Sequence, residues 1–165
     1  MKTLILVRHA KSSWSEAGLP DRERPLNKRG RRDAPAMGRR LARRGVKPDR
    51  VISSAALRAR LTAEAMAGEL GCPAGSVVAA EQLYCADVRE WFAAIDALDD
   101  GWDTVMLVGH NPTLTDLAAH FLPFPVDNVP TCGVMTLTYR TGSWRGIAGQ
   151  KPHACDFDYP KKPPC

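Results

Sequence analysis

Arg8 and His9 stand side by side at the end of the apolar run Thr3-Leu4-Ile5-Leu6-Val7. A strand that carries a guanidinium and an imidazole into a loop puts an anion clamp beside a potential nucleophile, a pairing suited to phosphoryl chemistry. Two other apolar runs end in a similar way. Val51-Ile52-Ser53 is followed by Ser54 and Arg58, and Thr104 to Val108 runs into Gly109-His110-Asn111-Pro112. Ligands in open α/β sheets collect at the carboxyl ends of strands, so His9, Arg58 and His110 are expected at one sheet edge. An arginine after a strand is usually a surface charge and a lone histidine usually structural; the shared placement sets these apart.

The elements that must carry these residues alternate strand and helix. Thr3 to Val7 reads as a short buried strand. Residues 11–25 are polar, contain Gly18, Pro20 and Pro25, and read as a long surface loop. Asn27 can cap a helix running towards Arg44, with Ala34, Met37 and Leu41 on one face and Gly45 as its stop, while Pro35 predicts a kink or a late start. Val51 to Ser53 is a second strand, and Ser53 or Ser54 is expected to cap a helix that buries Leu57, Leu61, Met66 and Leu70 before Gly71 ends it. Val77 to Ala79 gives a third strand, and Asp87 the cap of a helix carrying Val88, Trp91, Phe92, Ile95 and Leu98. Thr104 to Val108 is the fourth strand, followed by a helix with Leu114, Leu117 and Phe121. Val134 to Tyr139 and Trp144 to Ile147, separated by Thr141-Gly142, read as a closing hairpin. The expectation is a single α/β domain over 1–165, in which about 151–165 form a Pro/Lys tail.

With 165 residues, 44% of them hydrophobic, the chain is large enough for a packed core. No apolar stretch approaches a membrane span, and the first strand begins too early to leave room for a signal peptide, so a cytoplasmic protein is expected. Cys72, Cys85, Cys132, Cys155 and Cys165 are odd in number, scattered and never C-x-x-C, which reads as reduced thiols with Cys165 on a mobile end. Residues 21–60 hold 14 of the 23 Lys/Arg and only four acids, leaving that segment at +10 and the remainder at −5. No aromatic residue interleaves with these cations and no nucleic-acid motif is present, so a solvated helix face and an attractive field for an anionic substrate are expected. Nucleic-acid binding would predict steeply salt-sensitive association.

Leu6-Val7-Arg8-His9-Ala10-Lys11-Ser12, Arg24-Pro25-Leu26-Asn27 with Arg29-Gly30, Ser53-Ser54-Ala55-Ala56-Leu57-Arg58-Ala59 with Thr62-Ala63-Glu64, and Val108-Gly109-His110-Asn111-Pro112 follow one another along the chain. In this order they resemble the histidine phosphatase superfamily and, within it, the small SixA-type phosphohistidine phosphatases. Pro130-Thr131-Cys132-Gly133-Val134 resembles that subgroup too. The resemblance runs from residue 4 to about residue 137.

It implies a phosphoglycerate mutase-like three-layer α/β/α sandwich with a mostly parallel sheet and a minimal lid. It implies a phosphatase in which His9 attacks phosphorus and carries the phosphoryl group, Arg8 and Arg58 grip the equatorial oxygens, and His110 completes the pocket. Arg24 resembles a further phosphate contact. His9 must be neutral to attack, with one ring nitrogen fixed as a donor, and the two arginines would lower its pKa. Lys11 and Asn111 read as a solvated cation and a turn residue.

The chain departs from the broader pattern at Ala10, where the superfamily has glycine, and in Glu81-Gln82-Leu83-Tyr84-Cys85-Ala86-Asp87, which lacks the glutamate motif that supplies a general acid in mutases and sugar phosphatases. Glu81 or Asp87 could substitute. An alkoxide leaving group needs a proton in the transition state, whereas a phosphoimidazole can be protonated beforehand and leave as neutral imidazole. Phosphohistidine on a histidine phosphotransfer or phosphocarrier domain is thus the expected substrate. A small phosphorylated metabolite is the runner-up, and a non-catalytic phosphohistidine reader is a third reading. No metal or other cofactor is implied, since two arginines and two histidines supply the positive field.

Overall fold

The computed structural model describes residues 1–163; Cys165 and the end of the tail lie outside them. Six strands form one sheet: β1 (Lys2–Arg8), β2 (Arg50–Ser54), β3 (Val78–Ala80), β4 (Thr104–Gly109), β5 (Val134–Tyr139) and β6 (Ala154–Asp158). Their order is β3-β2-β4-β1-β5-β6. The first four in this order run parallel, and β5 lies antiparallel to both β1 and β6. Four helices join them: α1 (Lys28–Arg43), α2 (Leu57–Glu69), α3 (Val88–Asp96) and α4 (Thr113–Phe121).

Side chains alternate across a strand, so a continuous apolar run serves two faces at once. Leu4 and Leu6 of β1, with Val105 and Leu107 of β4, meet Trp91 and Ile95 of α3 and Leu114, Leu117 and Phe121 of α4. Ile5 and Val7, with Met106 and Val108, meet Met37 and Leu41 of α1 and Ala63 and Met66 of α2. The result is the α/β/α sandwich with a mostly parallel sheet, and its switch between β1 and β4 lies at the centre.

Local signals account for most boundaries. The Asn27 side chain accepts from Gly30 N (2.9 Å) and starts α1 at Lys28, and the helix continues through Pro35, so there is no late start. Gly45 (φ +76°) and Gly71 (φ +75°) stand just beyond α1 and α2, as expected. Asp87 caps α3 in a reciprocal box: its carboxylate accepts from Glu90 N (2.9 Å) and its own N–H donates to Glu90 Oε2 (2.7 Å). The α2 cap differs from expectation. Neither Ser53 nor Ser54 takes that position, which belongs to Ala56 without a side-chain hydrogen bond, because both serines are still in β2.

The end of the chain corrects the sequence reading in two places. Trp144 to Ile147 is not a strand: Trp144 is fully buried, donates from its indole N–H to the Trp102 carbonyl (2.9 Å), and leads into a 3-10 turn at Ile147–Gly149. The last strand is instead β6, inside the stretch taken for a tail. Its alternation is apolar against acidic rather than apolar against neutral. Cys155 and Phe157 pack against the α3/α4 side core, while Asp156 and Asp158 meet Arg40 of α1 and Arg44 at its C-terminal end.

Three arginines of the basic segment are paired with acids in this way. Arg40 reaches Asp158 (2.9 Å), Arg44 reaches Asp156 (2.6 Å) and Asp158 (3.2 Å), and Arg39 reaches Glu69 (2.8 Å), acids supplied from outside residues 21–60. The described residues contain no helix long and apolar enough to cross a membrane and no group of ligating side chains that could hold a metal ion. Cys72, Cys85, Cys132 and Cys155 are unpaired with one another.

Candidate active site

The strands β1, β2 and β4 end side by side; the loops after β1 and β4 carry His9 and His110, and the first turn of α2 carries Arg58, to one place. The backbone of Arg8-His9 is held from both flanks. His9 N–H donates to Gly109 O (2.9 Å), Arg8 N–H donates to Gly133 O (3.0 Å), and Cys132 N–H is shared between the carbonyls of Arg8 (3.0 Å) and His9 (3.1 Å). Ala10 N–H donates to the Thr62 hydroxyl (2.9 Å), which in turn donates to Arg58 O (2.8 Å), so α2 is latched to the loop after β1. Gly109 is required at its position because a Cβ there would collide with the Trp91 indole. The Pro130-to-Val134 and Thr62 motifs thus act through backbone support.

The imidazole of His9 is 8% exposed. Its Nδ1–H donates to the Ala10 carbonyl (2.7 Å), which leaves Nε2 with the lone pair. Burial pushes its pKa down to about 3, with smaller contributions from His110, Arg58 and Arg8, while the Ala10 carbonyl opposes the shift. The ring is therefore neutral across the physiological range. Desolvation, more than the arginines invoked from the sequence, is the main cause.

The rings of His9 and His110 lie 5.2 Å apart between centroids. His110 Nε2 pairs with the Ser54 hydroxyl (2.7 Å), and burial, then Arg58, lowers its pKa to about 4. Arg8 directs one N–H to the Val129 carbonyl (2.9 Å). The Asn111 amide donates to the same carbonyl (3.1 Å), while its oxygen accepts from Thr115 N (3.2 Å), the turn role expected of it. Lys11 is exposed and contributes its main-chain carbonyl to Asn27 N–H (2.9 Å).

Arg58 is nearly buried and spends two of its five N–H groups on one residue, the Asp21 carbonyl (2.7 Å) and the Asp21 carboxylate (3.0 Å). Arg24 binds the other oxygen of that carboxylate (3.1 Å), the Ser13 carbonyl (3.1 Å) and the Ser12 hydroxyl, and sits over Trp14 with 3.2 Å between guanidinium carbon and ring centroid. It reaches the site through Asp21, with three nitrogens already directed at protein acceptors. Tyr84, 5.9 Å from His110 between ring centroids, donates its hydroxyl to Asp21 (2.7 Å). Asp21, Tyr84 and the Ser54 bond to His110 were not foreseen. Each depends on a contact between distant segments and leaves no local pattern.

Both sequence candidates for a proton donor have other partners. Glu81 is exposed and ion-paired with Arg22, and Asp87, on the wall of the cleft, caps α3 through one oxygen. A cleft of about 630 Å³ continues from Arg58 and His110 past Tyr84 and Trp91 to Arg89 and Asp116.

A family model described as the histidine phosphatase superfamily, branch 1, matches residues 4–91. The chain belongs to the histidine phosphatase superfamily. It is an enzyme of the phosphatase class. An uncharacterised chloroplast protein of Arabidopsis thaliana is 30% identical over 152 residues, covering 87% of this chain and 69% of that protein. Among solved structures, a candidate SixA phosphohistidine phosphatase of Agrobacterium tumefaciens superimposes with a TM-score of 0.72 at 32% identity, over 82% of this chain and 90% of the other. A second candidate SixA, from Nakamurella multipartitia, gives 0.77 at 26% identity over 98% and 97%. The superfamily match ends before β4, so His110 enters the constellation through the fold rather than through that match.

Proposed function

We propose that this chain is a phosphohistidine phosphatase that acts on a phosphorylated protein in the cytoplasm. His9 Nε2 attacks phosphorus in line as the bond from phosphorus to the substrate imidazole nitrogen breaks, and the departing ring keeps the proton it already carried. Water then displaces phosphate from His9. Arg8 and the uncommitted N–H groups of Arg58 stabilise the equatorial oxygens, with His110 beside them.

One observation supports the choice of substrate: the carboxylates of the stretch after β3 and of the loop around Asp21 are each committed to a cation or a backbone donor. Glu81 is paired with Arg22, Asp87 caps α3, and the Tyr84 hydroxyl, with Arg58 and Arg24, holds the Asp21 carboxyl at about 2, so it is ionised when the enzyme works. A leaving group that needs no proton fits such a site, and phosphoimidazole is one. Its presentation on a protein surface fits a site whose lid material is the loop around the 74% exposed Trp14.

The cleft with Arg89 and Asp116 favours a second reading, a small phosphorylated metabolite whose body extends along α3 and α4. Side-by-side hydrolysis of a phosphorylated histidine phosphotransfer domain and a panel of phosphate esters separates the two. The proposal expects kcat/KM for the phosphorylated domain to exceed that for every ester by at least about a hundredfold. Preference for one ester overturns it.

A further inference from the structure

Asp21 lies in a loop whose ends are pinned together by Ser12 and Leu26, which form an isolated antiparallel bridge, and by the bonds Ser13 N–H to Pro25 O (2.8 Å) and Asn27 N–H to Lys11 O (2.9 Å). The loop then crosses to α2, where the Asp21 carbonyl and one carboxylate oxygen take separate nitrogens of Arg58 at 2.7 and 3.0 Å. Two bonds from one residue fix both the direction and the rotation of a planar guanidinium. The other carboxylate oxygen takes Arg24 (3.1 Å), and Tyr84 adds a third donor from across the cleft (2.7 Å). Asp21 is half exposed, so Coulomb attraction alone would be weak there; the geometry of several simultaneous bonds is what it supplies.

We propose that Asp21 is a positioning residue for the phosphatase reaction: by holding two nitrogens of Arg58 it aims the remaining N–H groups at the phosphoryl oxygens, and Tyr84 steadies its carboxylate. It does not itself touch the substrate. This inference is independent of which phosphorylated substrate is used, because Arg58 would meet the phosphoryl group common to all of them.

The opposite possibility is that Asp21 is merely a negative charge near an anion site, and the two differ in sign. If charge were the whole effect, removing it would tighten anion binding. If Asp21 aims Arg58, removing the carboxylate weakens binding despite the added positive charge.

The test measures p-nitrophenyl phosphate turnover and inorganic phosphate affinity for the wild type, Asp21→Asn, Arg58→Ala and the double variant, with melting curves to confirm folding. Asp21→Asn is expected to lower kcat tenfold or more and to weaken phosphate binding severalfold, and to add no further loss to either quantity in the Arg58→Ala background. Tyr84→Phe, which leaves both Asp21–Arg58 bonds in place, is expected to cost less than Asp21→Asn. Glu23→Gln removes an equal charge two positions along the same loop and should leave both quantities unchanged. Tighter phosphate binding by Asp21→Asn, wild-type kcat, or losses that simply multiply in the double variant would each overturn the proposal. Should Asp21→Asn not fold, Asp21→Glu decides instead: it must lower kcat when Arg58 is present and change nothing when Arg58 is alanine.

Discussion

Two of the places where arginines of the basic segment meet carboxylates are built to opposite ends. On the outer seam Asp158, almost fully buried, accepts from Arg40 (2.9 Å), Arg44 (3.2 Å) and the Tyr159 N–H (2.8 Å), and Arg40 also donates to the carbonyls of Tyr159 (3.0 Å) and Pro160 (2.8 Å). Donors and acceptors there satisfy one another, and the product is a fastened edge strand. At the strand ends, Arg58 gives two N–H groups to Asp21 and Arg8 gives one to Val129, which leaves donors uncommitted beside His9. The same residue type therefore stabilises where its hydrogen bonds are completed and serves chemistry where they are left incomplete but aimed.

Substitutions should separate the two regions cleanly. The largest effect is expected from His9→Ala, which removes the nucleophile: turnover of any phosphorylated substrate should fall by at least about a thousandfold, with the melting temperature little changed. Wild-type turnover by this variant would remove His9 from the mechanism. Arg58→Ala comes next, with kcat/KM down about a hundredfold or more, as expected when a donor aimed at transition-state charge is lost.

On the seam the signs reverse. Arg40→Ala leaves the buried Asp158 with one ion-pair partner in place of two and should cost about 1–3 kcal/mol in denaturant unfolding, while kcat stays within about twofold of wild type. A loss of activity without loss of stability would break the distinction between the two regions.

The smallest effect is a flat line. With His9 held near 3 and His110 near 4, kcat/KM corrected for substrate ionisation should change less than about twofold between pH 8 and pH 5, where an unperturbed histidine would already have titrated. Both folded-state values lie below the ordinary value, so the unfolded chain binds more protons throughout that interval. Stability should accordingly fall as pH drops from about 6.5 towards 4, by up to about 1.4 kcal/mol per pH unit for each histidine. His9→Ala should flatten the stability profile by its own share. A profile that kept its full slope would mean that the buried ring does not titrate as described.

Much of this molecule was legible along the chain, and the reason differs by element. β1 and β4 announced themselves because parallel strands buried on both faces need unbroken apolar runs. α1 and α3 are bounded correctly where a cap is a local matter, at Asn27 and Asp87, whereas the α2 cap falls at Ala56 because pairing with β3 and β4 extends β2 through the two serines. β6 does not read as a strand because two of its five residues are acidic, and an acidic face is a strand face only when a basic helix lies against it. Trp144 looked like a strand residue, yet its burial comes from the hydrogen bond to Trp102 and from its place in the α3/α4 side core.

By itself the sequence determined the alternation of strand and helix as far as β5 and the placement of Arg8, His9, Arg58 and His110 at or after three strand ends, which is what points to phosphoryl chemistry at one sheet edge. Hydrophobic periodicity and motif order are properties of neighbouring residues, so they can be read without coordinates. Only the tertiary structure decided the electrostatic state of that site and the direction of its arginines: that burial keeps His9 neutral, that Ala10 orients it, and that Asp21 holds Arg58 and Arg24 together. Desolvation and hydrogen-bond direction depend on which distant segments close around a group, and that is settled when the chain packs.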